Sequence, residues 1–244
     1  MAESGGASGP DFAQGIRLSE IPAEGTIAGR VGDDPVLLSR LDGELFAIGG
    51  SCTHYGGHLG DGISGSTTVR CPLHHACFDL RTGAVLRAPA LDPVDRWKVD
   101  VEGDLAFVRG KLEQSPVSPS RIDRDVHKVV IVGGGAAGLA CAKELRSRGF
   151  RGQVTMLSAD ADPPCDRPNL SKDYLAGNAP EEWLWLRGDD WYRDNDIDLR
   201  LSTEVTRIDA EARTVHCASG ERFPFDRLLL ATGAEPNRLD CSGR

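Results

Sequence analysis

Residues 51–79 read SCTHYGGHLGDGISGSTTVRCPLHHACFD, and they hold three of the chain's seven cysteines and four of its six histidines. Two motifs are contained in this stretch, Cys52-x-His54 and, after a gap of 16 residues, Cys71-x-x-His74. Thiolates and imidazoles are the ligands that zinc and iron–sulfur centres take from proteins. The stretch therefore predicts a metal centre held by these four side chains.

Two kinds of centre use two cysteines and two histidines. A structural zinc ion binds all four in one tetrahedron, whereas a Rieske [2Fe–2S] centre binds one iron through the cysteines and the other through the histidines. Paired zinc ligands are usually separated by two to four residues. The single residue between Cys52 and His54, and the mixing of one cysteine with one histidine in each motif, favour the two-iron centre. A zinc-stabilised module stays open as an alternative.

The neighbouring histidines and the third cysteine of this stretch are expected to have other roles. His75 lies one residue too far from Cys71 to be the ligand, and His58 is interpreted as a loop histidine. Cys77 is interpreted as a small buried hydrophobic residue. The seven cysteines are odd in number and scattered, which does not resemble a secreted disulfide framework, so we expect reduced thiols or metal ligands.

The residues around the ligand motifs predict an all-β domain over residues 13–110, after a disordered tail at residues 1–12. Turn signals recur between short apolar runs, and WKVDV alternates apolar and polar residues as a half-buried strand does. No helical period is sustained in this part. The turn signals are VGDDP (31–35), LDGEL (41–45), RTGAV (81–85) and VEGDL (101–105).

A linker is predicted at residues 111–125, where KLEQSPVSPSRIDRD is rich in Pro, Ser and charge. The composition then changes from polar to apolar. VHKVVIV (126–132) is typical of a strand that is buried on both faces of a parallel sheet. A glycine loop, an amphipathic segment with Gly149 at its exit and the strand VTML follow. Residues 126–244 are therefore predicted to form an α/β Rossmann-like domain.

The glycine loop has the sequence Gly133-x-Gly135-x-x-Gly138, after a strand and opening a helix, and Ala136 within it is counted among the candidate cofactor-binding residues. In this context the first glycine permits a tight turn, the second lets the backbone approach a pyrophosphate, and the third lets the helix pack on the strand. The free N–H groups of the helix N-terminus favour the phosphates. A dinucleotide site is therefore predicted. Asp160 is a candidate for the ribose-binding acid, with the Ser158 hydroxyl as another candidate.

Composition excludes some partners. The formal net charge of −9 disfavours nucleic acid and anionic lipid, which repel an acidic surface. The N-terminus lacks the apolar segment of a secretory signal, and the longest apolar run is shorter than the roughly 20 residues of a membrane-spanning helix. We expect a cytoplasmic protein that binds neither nucleic acid nor membrane.

CTHYGGHL followed by CPLHHACFD resembles the signature of the Rieske [2Fe–2S] domain, an iron–sulfur β-sandwich. The resemblance implies that Cys52 and Cys71 bind the inner iron and that His54 and His74 bind the outer iron. Phe78 and Asp79 also match the second loop of the family. The disulfide of respiratory Rieske proteins would fall on Gly57 and Leu73, so the domain resembles the ferredoxin-like group. Most members have Gly at the position of His75.

DRPNLSKDYLAG (166–177) resembles the R-P-P-L-S-K segment of FAD-dependent ferredoxin reductases and of oxidoreductases like apoptosis-inducing factor. This resemblance implies that Arg167 lies near the FAD pyrophosphate and Lys172 near the flavin ring. LSTEVTRID (201–209) resembles the strand whose valine backbone contacts the adenine, here Val205. LLLATGAEP (228–236) resembles the strand end beside the flavin nucleotide, which includes Thr232 and Gly233.

Together these resemblances imply electron transfer from NAD(P)H through FAD to the Rieske cluster, and from there to an unidentified acceptor. No catalytic acid or base is assigned, and NADH cannot be distinguished from NADPH. A Rieske electron carrier or redox sensor with a degenerate flavin domain stays open as an alternative. Members of the reductase family continue with a second G-x-G-x-x-G domain that binds NAD(P)H, and it is missing here. The resemblance therefore implies that the Rossmann-like domain is incomplete at its C-terminal end and that the chain is a fragment or truncated product of a longer reductase. This chain is expected to hold its cluster and to bind FAD weakly or not at all.

Overall fold

The computed structural model describes residues 9–113 and 125–235, and the chain divides into two compact units, residues 1–115 and 116–244. Each unit is described by itself. Within residues 9–113, short 3-10 helices cover Phe12–Gln14, Leu18–Glu20 and Leu59–Asp61. The strands of this part are β1 (Ile16–Arg17), β2 (Thr26–Val31), β3 (Asp34–Leu41), β4 (Glu44–Gly49), β5 (Ile63–Ser64), β6 (Thr68–Arg70), β7 (Cys77–Asp79), β8 (Val85–Arg87), β9 (Arg96–Glu102) and β10 (Leu105–Leu112).

The first unit is built from two antiparallel sheets, as the turn signals predict. The larger sheet has the order β1-β10-β9-β4-β3-β2. Two-residue turns join β2 to β3, β3 to β4 and β9 to β10. In the β3–β4 turn, Asp42 and Gly43 both have positive φ, at 53° and 84°, the conformation of a type I′ turn that suits the twist of a hairpin.

The smaller sheet has the order β5-β6-β7-β8, and the chain enters it after β4 and leaves it before β9. Its apolar side chains share one core with the inner face of the larger sheet. Phe78 and Leu80 are fully buried in that core together with Leu37 and Ile48. The loops at one end of the smaller sheet carry the predicted metal ligands, so this core supports them.

The predicted limits of the first domain differ from the structure at both ends. Phe12 is fully buried in the core, so ordered structure begins inside the stretch that was predicted to be a tail. Strand β10 continues through Lys111 and Leu112, since Lys111 pairs with Trp97, and the predicted linker therefore cannot begin before residue 113. The remaining tail (1–8) and linker (114–124) residues lie outside the described part of the chain.

The second unit has the outline of a β-α-β fold, in agreement with the prediction. Its helices are α1 (Ala136–Ser147), α2 (Arg167–Leu170) and α3 (Asp189–Asp194), with a 3-10 helix at Glu181–Trp183. Its strands within residues 125–235 are β11 (Lys128–Val132), β12 (Gln153–Leu157), β13 (Ile197–Arg200), β14 (Val205–Asp209), β15 (Thr214–Cys217), β16 (Arg222–Pro224) and β17 (Arg227–Leu230).

A parallel sheet with the order β13-β12-β11-β17 forms the centre of this unit. Strands β14, β15 and β16 form an antiparallel sheet of their own, and its buried Val215 and Cys217 pack with Val130 and Leu157 of the parallel sheet. Because β13, β12, β11 and β17 run parallel, their carboxyl ends lie at the same edge of the sheet. Open α/β sheets bind their ligands at that edge. None of the helices among the described residues has the length and apolarity needed to cross a bilayer.

Candidate metal centre and dinucleotide site

The first ligand loop, between β4 and β5, is closed by its own backbone. The N–H of Cys52 donates to the carbonyl of Gly57, with 2.9 Å between N and O, and the N–H of Gly56 donates to the carbonyl of Cys52 at 2.8 Å. Gly56 has a φ of +67°. This closed turn places His54 at the tip, two residues beyond the cysteine.

The second ligand loop, between β6 and β7, repeats this hydrogen-bond frame. The N–H of Cys71 donates to the carbonyl of Ala76 at 2.9 Å, and the N–H of His75 donates to the carbonyl of Cys71 at 3.1 Å. His75 has a φ of +61°. The cysteine opens the same six-residue frame in both loops, so the two predicted ligand pairs are presented by equivalent turns.

The two cysteines form a buried pair at the base of the loops. Cys52 is 3% exposed and Cys71 is 2% exposed, and both belong to the core beneath the loops. Burial raises the pKa of the Cys52 thiol to about 11, with a further contribution from its interaction with Cys71. A bound metal would have to displace these protons, because the thiolate is the ligand.

The two histidines form a second pair, nearer to the surface. The ring centroids of His54 and His74 are 5.0 Å apart in an edge-to-face arrangement. His74 is exposed and His54 is partly buried. The loops therefore bring together the four residues predicted from spacing and sort them into an inner sulfur pair and an outer imidazole pair.

This sorting into two pairs fits a binuclear centre. A tetrahedral zinc ion would instead take all four side chains at one point. A Rieske cluster requires two pairs on different irons, and the donor set and its division into pairs fit that group.

The other histidines and Cys77 lie where the sequence interpretation put them. His58 is at a β-bridge with Ser51, and its Nδ1 lies 3.5 Å from a carboxylate oxygen of Asp61. Cys77 is buried on β7. Asp79 caps the following turn, since its Oδ1 accepts hydrogen bonds from Arg81 N and from both the N–H and the hydroxyl of Thr82.

Gly57 and Leu73 are neighbours across the loops. A Cβ added at Gly57 would lie 2.9 Å from Leu73 Cδ1 and 2.8 Å from Cys71 Sγ. This is the pair of positions at which the resemblance places the disulfide of respiratory Rieske proteins. Here the glycine leaves room for the Cys71 sulfur.

In the second unit, the glycine loop follows β11 and opens α1, as predicted. A Cβ at Gly133, where φ is +125°, would lie 2.1 Å from the Ala231 carbonyl oxygen. A Cβ at Gly138 would lie 2.2 Å from the Gly133 carbonyl oxygen and 3.2 Å from Ile131 Cγ2. These two glycines therefore serve a tight turn and close helix packing.

Gly135 differs, because nothing lies within 4 Å of a Cβ built on it. It caps α1 without a side-chain hydrogen bond, and the first turn of the helix, which begins at Ala136, contains no acidic residue. The open space and the free positive end of the helix suit a phosphate group. The loop fits the pyrophosphate of a dinucleotide.

The segment after β12 lies against the glycine loop. Ser158 is buried, and a Cβ at Gly134 would lie 2.2 Å from its Oγ. The Ser158 Oγ accepts a hydrogen bond from Asp160 N at 3.2 Å, and the Ser158 carbonyl accepts one from Thr203 N at 2.7 Å. The serine hydroxyl is thus engaged locally, whereas the Asp160 carboxylate points away to a cation.

That cation is Arg167, whose Nη2 lies 2.8 Å from Asp160 Oδ2. The two predicted FAD contacts, one for the ribose and one for the pyrophosphate, are therefore paired with each other, a contact that sequence reasoning missed. Lys172 donates from Nζ to the Pro168 carbonyl at 3.2 Å. Its place beside a flavin ring stays a prediction.

The remaining predicted contacts lie at two strand ends. Val205 begins β14, two residues after Thr203. Thr232 and Gly233 follow β17 and are exposed. The Thr232 segment is brought to the glycine loop, because a Cβ at Gly133 would lie 3.0 Å from Thr232 N. Their roles toward adenine and flavin stay predictions.

Comparison with known proteins gives two domain matches. Residues 15–98 match the Rieske [2Fe-2S] domain, and residues 127–244 match the pyridine nucleotide-disulphide oxidoreductase family. The human protein called apoptosis-inducing factor 3 is 34% identical over 220 residues, which cover 86% of this chain and 36% of that protein. The chain thus spans about a third of the length of this relative.

Other similar proteins match about half of this chain. The ferredoxin–NAD(+) reductase component of the p-cumate 2,3-dioxygenase system of Pseudomonas putida is 39% identical over 119 residues, 48% of this chain and 29% of that protein. Among solved structures, a covalent putidaredoxin reductase–putidaredoxin complex is 38% identical, covers 50% of this chain and 29% of the matched chain, and has a TM-score of 0.47.

Proposed function

This chain carries a Rieske [2Fe–2S] domain followed by the N-terminal part of a pyridine nucleotide-disulphide oxidoreductase domain, and we propose that it is part of an NAD(P)H-dependent, ferredoxin-reductase-like electron-transfer oxidoreductase. Electrons enter from NAD(P)H, pass through FAD to the Rieske cluster and leave to an acceptor that is not identified. The presence of both domains on one chain supports this route.

The observation that carries the proposal is the repeated loop frame in the first unit. Two equivalent turns present a buried thiol pair and an outer imidazole pair. Cys52 and Cys71 would hold the inner iron, and His54 and His74 the outer iron. When bound, such a cluster accepts and releases one electron. The protein contributes the ligands, the buried surroundings of the sulfurs and the exposure of the imidazoles.

The glycine loop supports the flavin part of the proposal. The free N-terminus of α1 and the open space at Gly135 would receive the pyrophosphate of FAD. FAD supplies the hydride chemistry when it is bound.

Within the described residues all six cysteines have free thiols, which accords with the cytoplasmic location that we propose for the protein.

The first test is spectroscopy of the anaerobically purified chain, with iron, acid-labile sulfide, zinc and flavin counted. We expect equal amounts of iron and sulfide, a brown colour and, after chemical reduction, an EPR spectrum with a low average g value. One zinc per chain without sulfide would overturn the proposal in favour of the zinc-stabilised module.

The NAD(P)H step is tested on the protein as isolated from its native source, because this chain spans about a third of the similar human protein. Anaerobic NADH or NADPH should bleach the cluster absorbance as a chemical reductant does. If only the chemical reductant succeeds, the protein is a Rieske carrier or sensor and its flavin half is degenerate.

A further inference from the structure

We infer that Tyr55 is a positioning residue for the outer ligand pair, and that its ring sets the reduction potential of the centre by limiting the access of water to His54 and His74. This inference rests on the proposed cluster. Tyr55 follows His54 in the first loop and has no part in the ligand motif itself.

The ring of Tyr55 contacts both imidazoles. It stacks on His54 with 4.1 Å between ring centroids and 19° between ring planes. It meets His74 edge to face at 5.5 Å and 75°. One aromatic side chain therefore touches a ligand from each loop, and stacking of this kind favours defined ring orientations.

The position of the ring also determines what the imidazoles face. Tyr55 is 48% exposed, so one side of the ring is in water while the other covers His54. The cysteine pair needs no such cover, since Cys52 and Cys71 are buried by the core. In the described part of the first unit, Tyr55 is the aromatic residue that packs against the histidine pair.

The direction of the effect follows from charge. A [2Fe–2S] core with two thiolates and two neutral imidazoles is uncharged when oxidised and carries one negative charge when reduced. Water stabilises the charged state more than a ring does. Removing the ring increases the access of water to both imidazoles, favours the reduced state and raises the midpoint potential.

The experiment compares Tyr55→Ala, Tyr55→Phe and Tyr55→Leu in the full chain at one fixed pH. We expect Tyr55→Ala to raise the midpoint potential and to change the imidazole nitrogen couplings seen by pulsed EPR. Tyr55→Phe keeps the ring and should behave as the wild type. Ile63→Ala removes an exposed apolar side chain of the smaller sheet and should leave the potential unchanged.

Several results would overturn the inference. An unchanged potential in Tyr55→Ala at full iron content would do so, as would equal shifts in the Phe and Ala variants. If the alanine variant loses its cluster, Tyr55→Leu decides, because leucine retains bulk without a ring: altered nitrogen couplings support the inference, and wild-type couplings refute it. Failure of the cluster proposal is distinguishable, because the wild-type chain would then contain no sulfide.

Discussion

Gly56 and His75 occupy equivalent positions in the two ligand loops. Each lies four residues after the cysteine, donates its N–H to the carbonyl of that cysteine and has a positive φ, +67° for Gly56 and +61° for His75. The left-handed conformation costs a residue with a Cβ roughly 1–2 kcal/mol relative to the right-handed one. The second loop therefore carries strain that the first loop avoids.

His75→Gly should stabilise the protein. Relief of the left-handed strain outweighs the larger entropy of glycine in the unfolded chain, so we expect a gain of about 0.5–1 kcal/mol. Thermal unfolding of the cluster-loaded chain measures it. Gly56→Ala is the matched control in the other loop, where nothing lies within 4 Å of the added Cβ, and it should destabilise by about 1 kcal/mol. A lower thermal unfolding temperature for His75→Gly would contradict this prediction.

Gly57→Ala should weaken the cluster site by overpacking. The added methyl group would lie 2.8 Å from Cys71 Sγ and 2.9 Å from Leu73 Cδ1, and such crowding costs about 1–3 kcal/mol. We expect less iron per chain and faster loss of iron to a chelator. The double variant Gly57→Ala/Leu73→Ala should recover part of the loss. If Gly57→Ala retains iron as the wild type does, the loops accommodate the added methyl group without weakening the site, and the prediction is wrong.

Variants of the histidines should separate ligands from loop residues. His54→Ala and His74→Ala are expected to lose the cluster, whereas His58→Ala is expected to retain it. His54→Cys should keep iron but lower the midpoint potential, because replacing histidine by cysteine moves a Rieske centre toward the lower potentials of all-cysteine clusters. Iron content and potentiometry measure these outcomes. Normal iron content in His54→Ala would refute the ligand assignment.

Asp226 should make the stability of the second unit depend on acid pH. Its Oδ2 accepts hydrogen bonds from His127 N at 2.7 Å and Lys128 N at 2.8 Å, and these bonds hold the pKa of the carboxyl below its usual range. The unfolded chain therefore takes up this proton at a higher pH than the folded chain. The contribution is complete above the unfolded pKa of about 4 and is lost as pH falls through the lower folded value.

We expect Asp226→Asn to be less stable than the wild type at neutral pH and to lose less stability below about pH 4. Urea unfolding followed by tryptophan fluorescence measures this, since three of the four tryptophans lie in the second unit. Glu211→Gln, at an exposed turn, controls for the change in charge. If the stability of Asp226→Asn and of the wild type falls in parallel as the pH is lowered, Asp226 does not cause the loss of stability in acid.

This chain should bind FAD with low occupancy. Strand β17 forms one edge of the parallel sheet in the described residues, and Leu230 at its end is 59% exposed beside the predicted flavin contacts. The predicted FAD contacts Asp160 and Arg167 are also engaged with each other in an ion pair. Flavin absorbance and equilibrium dialysis measure occupancy. A purified chain with one FAD per protein would contradict this expectation.

Much of the fold could be predicted because its signals are local. The two-residue turns, the glycine loop and the exit of α1 at Gly149 follow from residues that tolerate positive φ, and the structure confirms them. The limits of the first domain were harder to predict from the sequence. Phe12 lies in a polar N-terminal stretch, and only its burial in the core places it in the domain.

In the candidate site, too, the local features could be predicted from the sequence and the contacts between distant residues could not. The ligand spacing distinguished two loops and four donors, but it contained no information on Tyr55, whose role depends on the approach of His74 from the other loop. Asp160 and Arg167 were considered separately as FAD contacts, and their ion pair became visible only in three dimensions. An aromatic residue directly after a ligand histidine was the available signal for Tyr55.

The amino-acid sequence by itself predicted the donor set and determined the two fold classes, because ligand spacing, turn residues and glycine spacing act over a few neighbouring residues. Only the tertiary structure decided which side chains face one another across loops: His54 with His74, Gly57 with Leu73, and Tyr55 with both imidazoles. The physical reason is that these contacts depend on the packing of two sheets around one core, which joins residues that are distant along the chain.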